Sequence, residues 1–456
     1  MFLKEIIETW TNPVQFIEGI EISKNDKLKI VEAGRFAPSA GNQQVFRFLL
    51  IDNENSNKII IQSIEARDPR LASTLKQIKK PNLRNNFVYS IENFNAKTDK
   101  YKVYIYEHHF DDINCAKSAS FFIICTHKNT ITGKMFGHTD MGAAITNMIL
   151  MAYDLGYHCR WIRIFDREFI RERFNIPLSI FIDAILVVGK VKENVEITEY
   201  KAKDVNDFYF YNQWDENLTI KDWQSENIEF NNYDIEVVDA IVDRRSIRSF
   251  NENKSIPRSI ILELLKAGMI IPLTINHPYL KIIVVEDRSF LNQIAKHSKI
   301  VLKQSHVGEV PLIIVITYDC SNNSPGFYSE TDSGSIIQSI LLRAHTLGIG
   351  SCWIGAFNRK VVRKILKIPE DWHIPSMAIF GYPNNYPKPT PRVDLGKVCY
   401  YNSWKNHIKK RKRTLLPDYF ALSIWFRKFR NTQVTTLLRK RKVGIVKGIP
   451  EFEQFL

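Results

Sequence analysis

The sequence of 456 residues lacks the features that mark several classes of protein. Its apolar runs, such as those at 185–188 and 312–316, are far shorter than the roughly 20 residues that a membrane-spanning helix needs. Its first residues lack the basic start and long apolar stretch of a secretory signal peptide. The six cysteines form no Cys-x-x-Cys pair, which is typical of reduced thiols in the cytosol. The sequence therefore predicts a cytoplasmic protein.

Glycine and proline are also scarce, at 19 and 18 residues, while 45% of the residues are apolar and 12% are aromatic. This composition excludes wholesale disorder and collagen-like sequence. The chain contains no GxGxxG fingerprint, no Walker loop and no GxSxG elbow. The length predicts two or three domains with sizeable cores.

Positive charge is concentrated at one end of the chain. From residue 405 onward there are 14 Lys or Arg against 3 Asp or Glu, a net of +11, whereas the whole chain carries +14. Everything before residue 405 therefore sums to about +3 (14 − 11). A nearly balanced body with a basic tail argues against nucleic-acid binding over the whole surface.

The chain contains two copies of one pattern. Residues 156–189 align without a gap with residues 348–381 at an offset of 192, and 10 of the 34 positions are identical. Nearer the start the offset is 234, so about 42 extra residues (234 − 192) lie in the first copy. We predict two homologous domains, 1–225 with an insertion at about 65–112 and 226–404, followed by a tail at 405–456.

Each copy mixes helical and strand patterns. Apolar residues recur three and four apart at 27–36 and 260–270, and the apolar stretches 142–155 and 334–347 predict buried helices. Short apolar runs predict buried strands at 45–51, 121–126, 184–188, 281–285, 312–317 and 377–380. This patterning is compatible with both an α/β and an α+β architecture.

Two segments could bind a polar ligand. Arg244-Arg-Ser-Ile-Arg248 brings three guanidinium groups and a hydroxyl together, a set suited to a phosphate, although a solvated basic turn would look the same. Residues 37–44 (Ala-Pro-Ser-Ala-Gly-Asn-Gln-Gln) have small side chains and amides that suit a planar polar ligand, although the composition is also that of an ordinary loop.

Taken together and in this order, these segments resemble the FMN-dependent nitroreductase family, twice in one chain. The resemblance adds a Leu-Gly-x-Gly-x-x-Trp-Ile-Gly segment at 347–355 and a Gly-Tyr-Pro segment at 381–383 followed by Arg392. It implies an α+β fold, with a central, mostly antiparallel sheet flanked by helices in each domain. Family members are usually homodimers with flavin sites at the interface, so the two domains are expected to form an intramolecular pseudo-dimer.

The resemblance implies FMN and NAD(P)H as cofactors and one complete flavin site. The expected cofactor-binding residues come from both halves, and they are Pro38, Ser39, Asn42, Gln44, Arg244, Arg245, Ser246, Arg248, Ile354, Gly355 and Arg392. The arginines would neutralise the phosphate, and the Gly355 N–H would face flavin N5. We name no catalytic side chain, because the flavin itself carries the hydride.

The reciprocal site is expected to be lost. The first half has no Arg-Arg-Ser-x-Arg segment, Arg163 stands where the second half has Gly355, and Ala202 stands where it has Arg392. Residues 272–278 of the second half replace the polar loop. We therefore expect one FMN per chain. Arg160 and Arg163 could bind an anionic group, or they could pair with acids such as Asp166.

No metal site is expected. Residues 107–112 (Glu-His-His-Phe-Asp-Asp) lack the spacing of a zinc motif, so we interpret them as a polar loop in the insertion.

The basic tail allows two interpretations. Its aromatic stretch at 419–429, flanked by basic clusters, predicts an anchor on an anionic membrane surface, or a helix docked on the body with its basic face in water. The sequence thus predicts a monomeric FMN-dependent NAD(P)H oxidoreductase that acts on a small molecule. The alternative is a flavin-free pseudoenzyme that serves as a scaffold at a membrane surface.

Overall fold

A computed structural model describes residues 12–67, 100–192, 209–215, 235–269, 280–298, 305–320 and 326–407, together with positions 3, 5, 6 and 220. Most of the insertion, the loop at 270–279, the segment containing Ala202 and the tail beyond His407 lie outside these residues. The predictions made for them stay predictions.

The first half is built from α1 (Lys24–Arg35), β1 (Phe46–Ile51), α2 (Glu54–Glu65), α3 (Lys100–Lys117), β2 (Phe121–Lys128), α4 (Ile131–Asp154), β3 (His158–Ile162), α5 (Arg167–Phe174), β4 (Ile180–Gly189) and β5 (Tyr209–Tyr211). The second half is built from α6 (Val237–Asp243), α7 (Arg258–Gly268), β6 (Leu280–Val285), α8 (Arg288–Lys296), β7 (Leu312–Asp319), α9 (Gly326–Thr346), β8 (Gly350–Ile354), α10 (Arg359–Ile365), β9 (Trp372–His373), β10 (Met377–Gly381), α11 (Leu395–Val398) and β11 (Cys399–Tyr401). Within the described ranges, no helix is long and apolar enough to cross a membrane.

Each half contains a sheet with the same strand order. In the first, β1, β2, β4 and β3 are antiparallel neighbours in that order, and in the second, β6, β7, β10 and β8 repeat the arrangement. The strands are buried on both faces, because helices cover them. The fold is α+β, as predicted, with two mostly antiparallel sheets flanked by helices.

The two halves exchange their last strands. β11 pairs in parallel with β1, and β5 pairs in parallel with β6. An asparagine after each exchanged strand adopts a left-handed backbone, and its side-chain oxygen accepts N–H groups from the other half. Asn402 accepts from Asp52, and Asn212 accepts from Glu286 and Asp287. The repeated Tyr-Asn-x-Trp segments of the sequence therefore connect the halves.

The long helices α4 and α9 cross between the two sheets. A Cβ on Gly142 would lie 1.9 Å from the Thr331 carbonyl oxygen, and a Cβ on Gly334 would lie 2.0 Å from that of Thr139. Only glycine permits this close approach at either position. Nearby, the Gln338 side chain donates a hydrogen bond of 2.7 Å to the Asn147 side chain, so the contact between the halves is both tight and specific.

The predicted elements agree with the structure except in detail. Both long helices begin earlier than Gly142 and Gly334. The interpretation of 107–112 as a loop is wrong, because these residues lie within α3. His109 and Asp112, three residues apart, are both buried, so they share one face of that helix.

Candidate active site

A cavity of about 670 Å³ lies between the two halves. This volume is within the range of small-molecule sites, roughly 300–1,000 Å³. The first half contributes the loop after α1 and one face of α4, and the second contributes the segment after α6, the end of β8 and residues 387–392. The predicted site residues that line the cavity are Pro38, Ser39, Asn42, Arg244, Arg245, Ser246, Arg248, Ile354, Gly355 and Arg392.

Arg244 supplies a buried positive charge at the cavity wall. The residue ends α6 and is only 5% exposed, and among the described residues its guanidinium has neither an acidic partner nor a hydrogen-bond acceptor. Burial, with a smaller effect of Arg245, lowers the pKa of Arg244 to about 10, so the group is charged at neutral pH. A buried cation without a counter-charge is costly, and an anionic ligand would relieve that cost.

The rest of the basic segment is held by backbone contacts. Ser246 forms a bridge with Ser351 at the edge of β8, and Ile247 N–H donates to the Ser351 carbonyl. Arg245 donates to the carbonyl oxygens of Val242 and Arg244, while Arg248 is exposed. These contacts fix the segment along β8 and leave its guanidinium groups around one end of the cavity.

The loop of the first half is fastened to the second half. Gln44 accepts a hydrogen bond from Val393 N–H and donates to the Pro391 carbonyl, and Asn42 also donates to Pro391. Gln44 is only 3% exposed and is not among the described residues that line the cavity. Its position is therefore that of a residue that holds the loop, whereas Ser39 and Asn42 reach the cavity.

Arg392 also contacts this loop. Its guanidinium donates to the carbonyl oxygens of Phe36 and Ala37 and to the Asn42 side chain, at 2.8–3.2 Å. Burial, followed by repulsion from Arg244, lowers the pKa of Arg392 to about 10. The late arginine thus lies near the Arg244 cluster while bracing the loop of the other half.

Gly355 ends the strand β8 and leaves space at the cavity wall. A Cβ at this position would lie 2.9 Å from the Phe136 ring, which projects from α4 of the first half. The absence of a side chain therefore permits the close approach of Phe136 as well as of a ligand. The sequence interpretation considered the ligand alone and missed Phe136.

A scan against protein-family models matches the nitroreductase family at residues 20–190 and again at 241–382. The two segments together cover well over half of the chain, and each spans one of the sheets described above. The chain belongs to the nitroreductase family.

Relatives of this nitroreductase-family chain match one half at a time. A Methanothermobacter thermautotrophicus protein, provisionally named NADH dehydrogenase/NAD(P)H nitroreductase, is 30% identical over 169 residues, which are 36% of this chain and 86% of that protein. A Thermus thermophilus NADH dehydrogenase is 24% identical, over 36% of this chain and 94% of its own. The solved structure of a Clostridium novyi nitroreductase family protein is 26% identical, covers 38% of this chain and 97% of its own, and has a TM-score of 0.31.

The reciprocal position in this nitroreductase-family chain is filled by side chains. Arg163, the counterpart of Gly355, places its guanidinium 2.6 Å from a carboxylate oxygen of Asp332 and 3.7 Å from the centre of the Trp161 ring. Tyr328, the counterpart of Phe136, donates a hydrogen bond to the Arg163 carbonyl. The ion-pairing alternative for Arg163 is supported, but its partner is Asp332 and not Asp166.

Arg160 is also paired with acids. Its guanidinium lies 2.7 Å from Asp112 and 3.6 Å from Asp111, both on α3, and donates to the Pro13 carbonyl. Asp166 instead accepts the Phe169 N–H at the start of α5. The suggested pairing of these arginines with Asp166 is therefore wrong, since acids distant in sequence take that place.

Asp140 is a cavity residue that sequence reasoning missed. It lies on α4 and is 3% exposed, and its carboxylate oxygens accept the Ala40 N–H at 3.1–3.2 Å. Burial raises the pKa of Asp140 to about 8. The sequence did contain a relevant observation, because Thr139-Asp140 is repeated as Thr331-Asp332 at the offset of 192.

A second cluster lies at one end of the first sheet. Nδ1 of His127 and Nδ1 of His138 lie 2.7 and 2.6 Å from the two oxygens of the Asp183 carboxylate. These ligand types could hold a metal ion, but the two distances are those of hydrogen bonds. The histidines hold the pKa of Asp183 at about 2, against the effect of burial. The cluster joins β2, α4 and β4.

Proposed function

We propose that this protein is an FMN-dependent NAD(P)H oxidoreductase of the nitroreductase type, acting on a small molecule with one composite flavin site per chain. Family membership supports the reaction class, and so do the names of the relatives, which are NADH dehydrogenases and NAD(P)H nitroreductases. The observation that carries the proposal is the cavity between the halves, with the buried Arg244 cation in its wall.

The residues of the cavity fit FMN. Arg244, Arg248 and Ser246 surround one end and would bind the phosphate, because guanidinium and hydroxyl groups donate to phosphate oxygens. Trp353 and Phe136 offer aromatic surface toward the space next to Gly355, where the ring would lie. When bound, FMN supplies a ring nitrogen, N5, that accepts and releases hydride.

The chain itself would bind and orient the reactants. Arg392 and Gln44 hold the loop that carries Ser39 and Asn42 against the second half, so the two halves of the cavity keep a constant spacing. The partly enclosed cavity would exclude water from the reacting atoms. No proton donor on the protein is required for a hydride transfer.

The filled reciprocal position supports a single flavin. The Arg163 guanidinium occupies space next to Trp161 and is paired with Asp332, so a ring would have to displace a buried ion pair. The first half also has no arginine cluster before α1.

The exchanged strands and the reciprocal glycine contacts support a pseudo-dimer made within one chain. Its domains would be 1–225 and 226–404, followed by the basic tail.

The test is the absorption spectrum and the flavin content of the full-length protein purified from cells. We expect one equivalent of FMN per chain and loss of the absorption near 450 nm on adding NADH or NADPH. Arg244→Gln combined with Arg248→Gln should abolish the bound flavin, whereas Arg173→Gln, which changes an exposed arginine outside the cavity, should not. A colourless wild-type protein that binds no added FMN would refute the proposal and favour the scaffold alternative. Two equivalents of FMN would refute the single site.

A further inference from the structure

The two halves can be compared position by position around the cavity. Gly142 contacts Thr331 and Gly334 contacts Thr139, and both pairs are related by the offset of 192. These reciprocal contacts show that the crossing of α4 and α9 looks nearly the same from either half. Asp140 and Asp332 therefore occupy equivalent places.

In the reciprocal position, an arginine side chain shows what this place accepts. Arg163 extends from the end of β3 across the Trp161 ring and donates a hydrogen bond of 2.6 Å to Asp332. Its guanidinium is a flat group with N–H donors at its edge. The place between the tryptophan and the carboxylate thus holds a planar donor, stacked on one side and hydrogen-bonded at its rim.

In the cavity, the same place has no side chain in it. Gly355 replaces the arginine, and Trp353 and Asp140 line the cavity in the positions of Trp161 and Asp332. Among the described residues, the Asp140 carboxylate receives one N–H, that of Ala40. A carboxylate has about four acceptor positions, so Asp140 can accept a further donor.

We propose that Asp140 accepts a hydrogen bond from the N–H edge of the isoalloxazine ring, with the ring in the space that the Arg163 guanidinium takes in the other half. In oxidised flavin that donor is N3–H. The inference rests on the proposed function and assigns Asp140 as a binding residue for the ring, whereas the arginine cluster binds the phosphate.

The electrostatics of Asp140 make the contact measurable. Burial raises the pKa of this carboxyl to about 8, so in the unliganded protein it is largely protonated at pH 7. A ligand N–H favours the charged carboxylate and lowers the pKa in the complex. Affinity for the ring should therefore rise with pH and become constant above about pH 8, because ligand binding no longer has to remove a proton.

The experiment measures the dissociation constants of riboflavin and FMN by flavin fluorescence, with flavin-free protein, between pH 6.5 and 9. Riboflavin has no phosphate, so its pH dependence is free of the phosphate titration near pH 6. Asp140→Asn keeps an oxygen that can accept the Ala40 N–H, which preserves the loop contact. We expect this variant to bind both ligands about tenfold more weakly at pH 8.5, with a flat pH profile.

Two variants serve as controls. Asp332→Asn changes the equivalent carboxylate of the filled position and should leave both affinities and the rise with pH unchanged. Arg248→Gln should weaken FMN binding and leave riboflavin binding unchanged, since its target is the phosphate.

The outcomes separate the two proposals. If the wild-type protein binds neither flavin, the proposed function fails, and this inference fails with it. If it binds FMN but Asp140→Asn has the same affinity and the same pH profile, only the inference about Asp140 is overturned. A wild-type affinity that falls as the pH rises through 8 would also overturn it, because the protonated acid would then be the bound form.

Discussion

The ion pair between Arg163 and Asp332 should be essential to folding while dispensable for flavin binding. The guanidinium and carboxylate lie 2.6 Å apart, and their side chains are only 7% and 0% exposed. Replacing one partner leaves the other as a buried charge without compensation, at a cost of about 3–5 kcal/mol. That is a large part of the roughly 5–15 kcal/mol by which a domain is stable.

The magnitude predicts a clear double-mutant cycle. We expect Asp332→Leu and Arg163→Met each to lower the free energy of unfolding by about 3 kcal/mol or more. The double variant should lose less than the sum by about 2 kcal/mol, because neither charge is then left alone. Urea unfolding followed by tryptophan fluorescence is a suitable assay, since Trp161 lies directly against Arg163.

The control is Arg173→Met, which changes an exposed arginine. Single variants that unfold within about 0.5 kcal/mol of the wild type would refute the reasoning. So would a double variant whose loss equals the sum of the two single losses. FMN content at one equivalent per chain in Arg163→Met would separate this structural role from flavin binding.

Three further predictions concern other parts of the molecule. Asp183→Asn should lower the free energy of unfolding at pH 7 by about 2 kcal/mol, since the histidines hold the pKa of Asp183 at about 2. The wild type should lose this contribution as the pH falls from 4 toward 2, so urea unfolding at pH 3 should show a smaller difference between the two proteins; an equal difference at both pH values would contradict the prediction. Gly142→Ala should cost more than about 3 kcal/mol, because the new Cβ would lie 1.9 Å from a backbone oxygen of α9, and Ala143→Gly is the control in thermal unfolding. Deleting residues 405–456 should leave flavin binding intact and abolish sedimentation with anionic vesicles, and unchanged sedimentation would argue against a membrane anchor.

Much of the fold follows from local patterns in the sequence. The short apolar runs become buried strands, because apolar segments of that length fit a sheet covered by helices on both faces. The repeat also predicted the equivalence of the two halves. The helical state of residues 107–112 was missed, because the burial of His109 and Asp112 depends on a distant partner, Arg160.

The candidate site was predictable wherever it is made of contiguous motifs. Arg244–Arg248 and Pro38–Asn42 do line one cavity. Asp140 and Phe136 were missed, because a single carboxylate or ring on a buried helix carries no local pattern that distinguishes it from a packing residue. Their role is visible only once α4 is placed beside β8.

The amino-acid sequence by itself determined the duplication, the α+β elements and the one-sided distribution of the arginine motif, since these depend on residue order and on local apolar spacing. Only the tertiary structure decided which half each last strand joins, which acids pair with Arg160 and Arg163, and which carboxylate faces the cavity. The physical reason is that a buried charge or an unpaired strand edge must find a partner in space. That partner is selected by packing, at separations of up to 350 residues along this chain.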